Sequence, residues 1–131
     1  MMARQLTDED RRVFAEVLKR VGANWRASIG DDDFHSLEYM GLFTEIWLRG
    51  ADPVMKTDCY RFMSGVSRQT AKKYLERAIA RGYLKETNNP RDKRSKLITM
   101  APGLASLLER NYDHAASELR KVLRRRRPLS N

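Results

Sequence analysis

The chain has a single cysteine, Cys59, which excludes an internal disulfide and any paired-cysteine metal or redox motif. Histidine is almost as scarce: His35 and His114 are the only two, and they lie far apart in the chain. No glycine-rich phosphate loop and no HExxH pair is present. Without a nucleophile–base pair or a metal-ligand set, the expectation is a protein that is not an enzyme and takes no metal or cofactor. No apolar run approaches the length of a membrane span, and the N-terminal stretch lacks a basic region followed by an apolar one. A cytoplasmic protein with no membrane partner is therefore expected. A chain of 131 residues with 41% hydrophobic residues suits one domain that needs no covalent or metal staple.

What the chain does have is positive charge, unevenly placed. The formal net charge is +9. Residues 1–50 hold 7 Lys+Arg and 9 Asp+Glu, whereas residues 51–131 hold 19 Lys+Arg and 8 Asp+Glu. A basic half joined to a near-neutral one points to a polyanionic partner.

The periodicity is mainly helical. Thr7 is an N-cap, with Asp10 three residues on, for a first helix whose Val13, Phe14, Val17, Leu18 and Val21 form one stripe. A second helix is expected over Phe34–Arg49. Asp31–Asp33 beside His35 are explained as its N-caps without invoking a metal. A short helix over Thr57–Met63, the turn Ser64-Gly65-Val66 and a longer helix capped by Ser67 and closed by Gly82 make a helix-turn-helix. "YLKETNN" and "KLITM" read as strands around the loop "PRDKRS", giving a hairpin wing. A last helix opens at Pro102–Gly103 and carries Leu104, Leu107, Leu108, Ala115, Leu119 and Val122 on one side. The fold class is thus mainly α with a small β-hairpin wing.

The second helix of the helix-turn-helix buries Ala71, Tyr74, Leu75, Ala78 and Ile79 and turns Arg68, Gln69, Lys72, Lys73 and Arg77 outward. Its first turn is the part that enters a major groove, where Arg68 can fork onto guanine and Gln69 can pair with adenine. The Ser67 and Thr70 hydroxyls suit phosphates, as do Lys73 and Arg77 farther along, and Lys72 belongs to the same DNA-binding face. The wing loop gathers Arg91, Lys93, Arg94 and Lys96 around Asp92. The narrow, strongly negative minor groove of A·T-rich DNA attracts an inserted Arg. Asp92, two residues from Arg94, is expected to brace its guanidinium.

Over 56–110 these pieces resemble the MarR family of winged-helix regulators. The matching runs are "GVSRQTAKKYLERAIARGYLKE", "NNPRDKRSKLITM" with its Asp-x-Arg, and "APGLASLLER". Where that family usually has Thr at the start of the last helix, this chain has Ala101. The resemblance implies a homodimer, with residues 1–30 and 101–131 as dimerisation helices and 34–100 as a DNA-binding lobe of one winged-helix domain. It implies a small-molecule effector held between these parts, for which Tyr39, Phe43 and Trp47 of the second helix are the candidate lining; plain core explains the same aromatics. It also raises oxidant sensing through Cys59, whose pKa the nearby Arg61 would lower, against the ordinary state of a buried inert thiol. Arg124–Arg127 either touch DNA or complement the negative end of the last helix.

The resulting expectation is a sequence-specific, double-stranded DNA-binding repressor acting as a homodimer on an inverted-repeat operator. The alternative is a winged-helix protein-interaction module, or an architectural protein that binds nucleic acid without sequence preference.

Overall fold

The computed structural model describes residues 5–126, so Arg127 of the terminal arginine run lies outside the described residues. Helix α1 spans Asp8–Ser28 and opens with a capping box. The Thr7 hydroxyl accepts from the Asp10 N–H at 3.2 Å, and the Asp10 carboxylate accepts from the Thr7 N–H at 2.9 Å. Helix α2 spans Leu37–Leu48, three residues later than the sequence suggests, and Ser36 caps it. The reason lies in Phe34. Its ring is fully buried, 4.5 Å from the Tyr39 ring and edge-on to Tyr83 at 4.9 Å, so the preceding backbone folds into a separate 3-10 turn, Asp32–Phe34. Asp31 caps that turn by accepting from the Asp33 N–H at 3.1 Å. The acidic run therefore does not cap α2.

After α2 comes a short strand β1 (Val54–Met55), then helix α3 (Lys56–Arg61) and helix α4 (Arg68–Ala80). Ser67 caps α4 as expected, its hydroxyl accepting from the Thr70 N–H at 3.2 Å. Gly82 takes φ +79°, a left-handed conformation that a Cβ disfavours. There the Tyr83 N–H bonds back to the Ala78 carbonyl at 3.0 Å and turns the chain into β2 (Leu84–Asn88). Strand β3 (Lys96–Met100) returns antiparallel to β2, with Leu84 opposite Met100 and Asn88 opposite Lys96. The expected hairpin gains a third strand, because β1 pairs with the other edge of β3 to give the order β1-β3-β2.

Helix α5 (Pro102–Arg126) closes the fold. Its expected apolar side divides: Leu104, Leu108 and Val122 are buried, whereas Leu119 is 40% exposed. The core joins Trp25 of α1 to Leu42, Phe43 and Ile46 of α2, Leu75 of α4, Ile98 of β3 and Leu108 of α5. Each large apolar side chain so enclosed contributes about 1.5–3 kcal/mol. Trp25 also donates its indole N–H to the Phe34 carbonyl at 2.9 Å, which ties α1 to the 3-10 turn.

Candidate nucleic-acid interface

Helix α4 buries Ala71, Leu75 and Ala78 completely, with Tyr74 and Ile79 half-buried beside them. That anchoring turns Arg68, Gln69, Lys72 and Lys73 into solvent. The helix rests on a second support: the buried Tyr39 hydroxyl donates to the Tyr74 carbonyl at 2.8 Å, and the two rings stack at 5.1 Å. Burial pushes the Tyr39 pKa up to about 12, so the hydroxyl keeps its proton for this bond.

Two arginines of the outer face lie on aromatic rings. Arg68 sits over Tyr60 of α3 at 5.4 Å, and Arg77 over Tyr74 at 5.6 Å. Such contacts are worth about 0.5–1 kcal/mol at exposed sites. They restrict long side chains before any partner arrives. Tyr60 is absent from the sequence reading because its eight-residue separation from Arg68 crosses a turn and follows no helical period. Ser67 and Thr70 bond each other at 3.1 Å, so the hydroxyls assigned to phosphates also finish the helix cap.

The wing tip is a built turn. Asn89 accepts from the Arg91 N–H at 3.0 Å and donates to the Ser95 hydroxyl at 2.9 Å, and the Ser95 N–H bonds the Asp92 carbonyl at 3.1 Å. Asp92 does brace Arg94, but through the backbone: its carboxylate accepts from the Arg94 N–H at 3.0 Å. Among the described residues the Arg94 guanidinium has no carboxylate partner. The expectation that Asp92 holds the guanidinium is thus corrected to an Asx-type turn, a local bond that a two-residue spacing favours. Arg91, Lys93 and Arg94 are exposed, and Lys96 reaches the Asn88 side-chain carbonyl.

The three aromatics offered as an effector lining are not brought to one surface. Tyr39 and Phe43 are fully buried, their rings 5.6 Å apart within the cluster that includes Phe34. Trp47 faces α5 instead, edge-on to Tyr112 at 4.8 Å, with its indole N–H donating to Glu109 at 3.2 Å. Cys59 is also fully buried, and that burial, with Asp58 adding to it, pushes the thiol up to about 12. Arg61 pairs with Asp58, so the lowering expected from Arg61 is overturned. Among the described residues no group of three His, Cys, Asp or Glu side chains is placed to hold a metal ion, and no helix is long and apolar enough to cross a membrane.

Away from this face, α1 and α5 lie side by side. Arg20 bridges Glu16 and Glu118, and Arg125 reaches Glu16 at 3.0 Å. Phe14 (66% exposed) and Leu18 on α1, and Leu119 and Leu123 on α5, are uncovered apolar side chains, each pair four residues apart on its helix.

No model of a known protein family and no curated protein matches the chain. Solved structures do. The transcriptional regulator Tm0710 from Thermotoga maritima superposes with a TM-score of 0.66 at 19% identity, over 90% of this chain and 80% of that one. A mutant MarR from E. coli, complexed with operator DNA, gives 0.56 at 18% identity over 87% and 79%. Sco3205, a MarR family transcriptional regulator from Streptomyces coelicolor in complex with DNA, gives 0.58 at 17% identity over 97% and 81%. The chain has a MarR-like winged-helix fold.

Proposed function

We propose that the chain is a sequence-specific, double-stranded DNA-binding regulator of transcription. The observation that carries the reading is the exposed, cation-rich first half of α4 beside a wing whose cationic tip is pre-shaped by its own hydrogen bonds. Arg68 and Gln69 read base edges in the major groove; Ser67, Thr70, Lys72, Lys73 and Arg77 hold phosphates. Arg91, Lys93, Arg94 and Lys96 address the flanking minor groove, with Asp92 shaping the loop that carries them. Two of the similar structures contain DNA, which supports this assignment.

The active form is a homodimer. The exposed Phe14, Leu18, Leu119 and Leu123 of α1 and α5 are the apolar side chains that a second copy covers about a two-fold axis. The dimer sets two recognition helices on one face of the duplex, and occupancy of an operator represses without any chemistry. An effector, where one acts, binds elsewhere than on Tyr39 and Phe43, whose rings are committed to the core.

Selection of bound sequences from a random duplex library tests the reading. The expected product is an inverted repeat with half-sites about 10 bp apart, centre to centre. Recovery of sequences with no consensus would favour an architectural role.

A further inference from the structure

Lys56 is the first residue of α3, in the strongly basic half of the chain, yet its side chain is only 18% exposed. Its ammonium lies 2.6 Å from the Glu76 carboxylate of α4 and also contacts the Glu86 carboxylate of β2. Burial works against its charge, but the hydrogen bonds to Glu76 and then Glu86 outweigh that, and the ammonium is pushed up to about 12. Glu76 is the only acid of α4, and Glu86 sits at the middle of the wing strand opposite Ile98. One cation and two anions leave the cluster net negative, so this lysine is not offered to a phosphate. It is committed to the protein.

We infer that Lys56 is a positioning residue that clamps the wing to the recognition helix, so that the two readers meet DNA as one rigid element. The clamp adds a side-chain tie beyond the backbone junction, where α4 passes into β2 through Gly82 at φ +79° and the Tyr83 N–H bonds the Ala78 carbonyl. Asp92 at the wing tip lies six positions beyond Glu86, two of them in β2 and the rest in the turn, so the tip stands at most about 20 Å from the clamp. A swing of about 10° at the clamp moves that tip by up to about 3 Å, on the scale of a hydrogen bond's length. An unclamped wing would still attract DNA by charge but would lose its register with the base contacts of α4.

The inference rests on the DNA-reading function proposed above, so its test has one arm that needs no DNA. Spin labels at Lys72→Cys and Lys93→Cys, diluted with unlabelled protein, report the distance from recognition helix to wing tip. The native Cys59 is buried, which leaves the introduced thiols to react. Lys56→Met is expected to broaden the distance distribution at least about twofold, while Lys56→Arg, which keeps both ion pairs, leaves it narrow. The second arm uses the duplex selected by wild type and a scrambled one. Lys56→Met should lower the preference between them about fivefold, the scale of coupling within one ion-pair network, with the salt slope unchanged.

Stranding two carboxylates near DNA could lower affinity by repulsion alone, and it could also unfold the variant. Lys56→Met combined with Glu76→Gln and Glu86→Gln removes both problems; it should remain broad and poorly selective. A narrow distribution in Lys56→Met would overturn the clamp. So would a salt slope lowered by about one unit per subunit, the mark of a lost phosphate contact, or full recovery in the neutral triple variant. A wild type with no preference among duplexes would instead sink the DNA-reading function, and the distance arm would still decide the clamp.

Discussion

The α1–α5 pair and the α4–wing face are both rich in arginine and lysine, but they use the charge differently. In α1 and α5 several cations pair with acids on the same two helices: Arg12 with Asp8 at 2.8 Å, Arg20 with Glu16 at 2.9 Å, Lys121 with Glu118 at 3.5 Å, and Arg125 of the basic end of α5 with Glu16 at 3.0 Å. Across α4 and the wing tip, the only acids are Glu76 and Asp92, and both are occupied from within, Glu76 by Lys56 and Asp92 by the Arg94 backbone. Arg68, Lys72, Lys73, Arg91, Lys93 and Arg94 are left facing solvent, with Arg77 half-buried over Tyr74. Net charge is thus a weak guide to a nucleic-acid face; cations without acids beside them are a better one, because only they have charge to spare for phosphate.

Variants can break this contrast or sharpen it. The largest effect should come from the helices that do not touch bases. Phe14→Glu sets a charge among the exposed apolar side chains of α1 and α5, and loss of the dimer should cost about a hundredfold in affinity for the inverted repeat, since two linked sites become one. Light scattering alongside a binding titration checks both halves. Arg68→Ala should cost about 1–3 kcal/mol on the selected duplex and much less on scrambled DNA, because a base contact is lost. Asp92→Ala should weaken binding to the selected duplex by about 0.5–1.5 kcal/mol, the value of one hydrogen bond that shapes the wing turn. Bare electrostatics predicts tighter binding once an anion is removed, so the direction of the change is diagnostic. Lys73→Ala should weaken all duplexes alike and lower the salt slope by about one unit per subunit. The smallest effect belongs to Arg12→Ala: with both partners largely exposed, its pair with Asp8 should change melting and DNA affinity by no more than about 0.5 kcal/mol.

Stability should also respond to acid. The Arg81 guanidinium at the end of α4 engages Asp31 and Asp33, and its hydrogen bond holds the Asp31 carboxyl below its usual value of 3.8. A carboxyl depressed in the folded state stabilises it fully above the unfolded pKa. That stabilisation is lost as pH falls through the lower folded value. Wild type should therefore lose more stability on acidification below pH 3.8 than Asp31→Asn does, as melting followed against pH would show.

Much of the fold was legible because local chemistry and global packing agree there. Thr7, Ser67 and Gly82 mark helix ends through bonds made within a few residues, and the strand-like runs "YLKETNN" and "KLITM" hold β2 and β3. The failures are contacts between distant residues. Phe34 looked like the start of α2, but long-range aromatic packing against Tyr83 draws it into the core and leaves capping to Ser36. The two residues of β1 carry too short a pattern to read, and their partner lies more than forty positions away. At the candidate site, the outward residues of α4 follow from helical period alone. Tyr60 beneath Arg68 and Lys56 between two carboxylates do not, because no short spacing connects them. Cys59 has an arginine two residues on, but the thiol's environment is set by burial and the arginine is taken by Asp58.

The central claim, that the α4–wing face and not the α1–α5 pair meets DNA, is tested most directly by lysine acetylation footprinting with and without the selected duplex. Lys72, Lys73, Lys93 and Lys96 should be protected by DNA, Lys19 and Lys121 should react at unchanged rates, and Lys56 should react slowly in both states. Protection of Lys19 and Lys121 while the four lysines of α4 and the wing stay reactive would contradict the account.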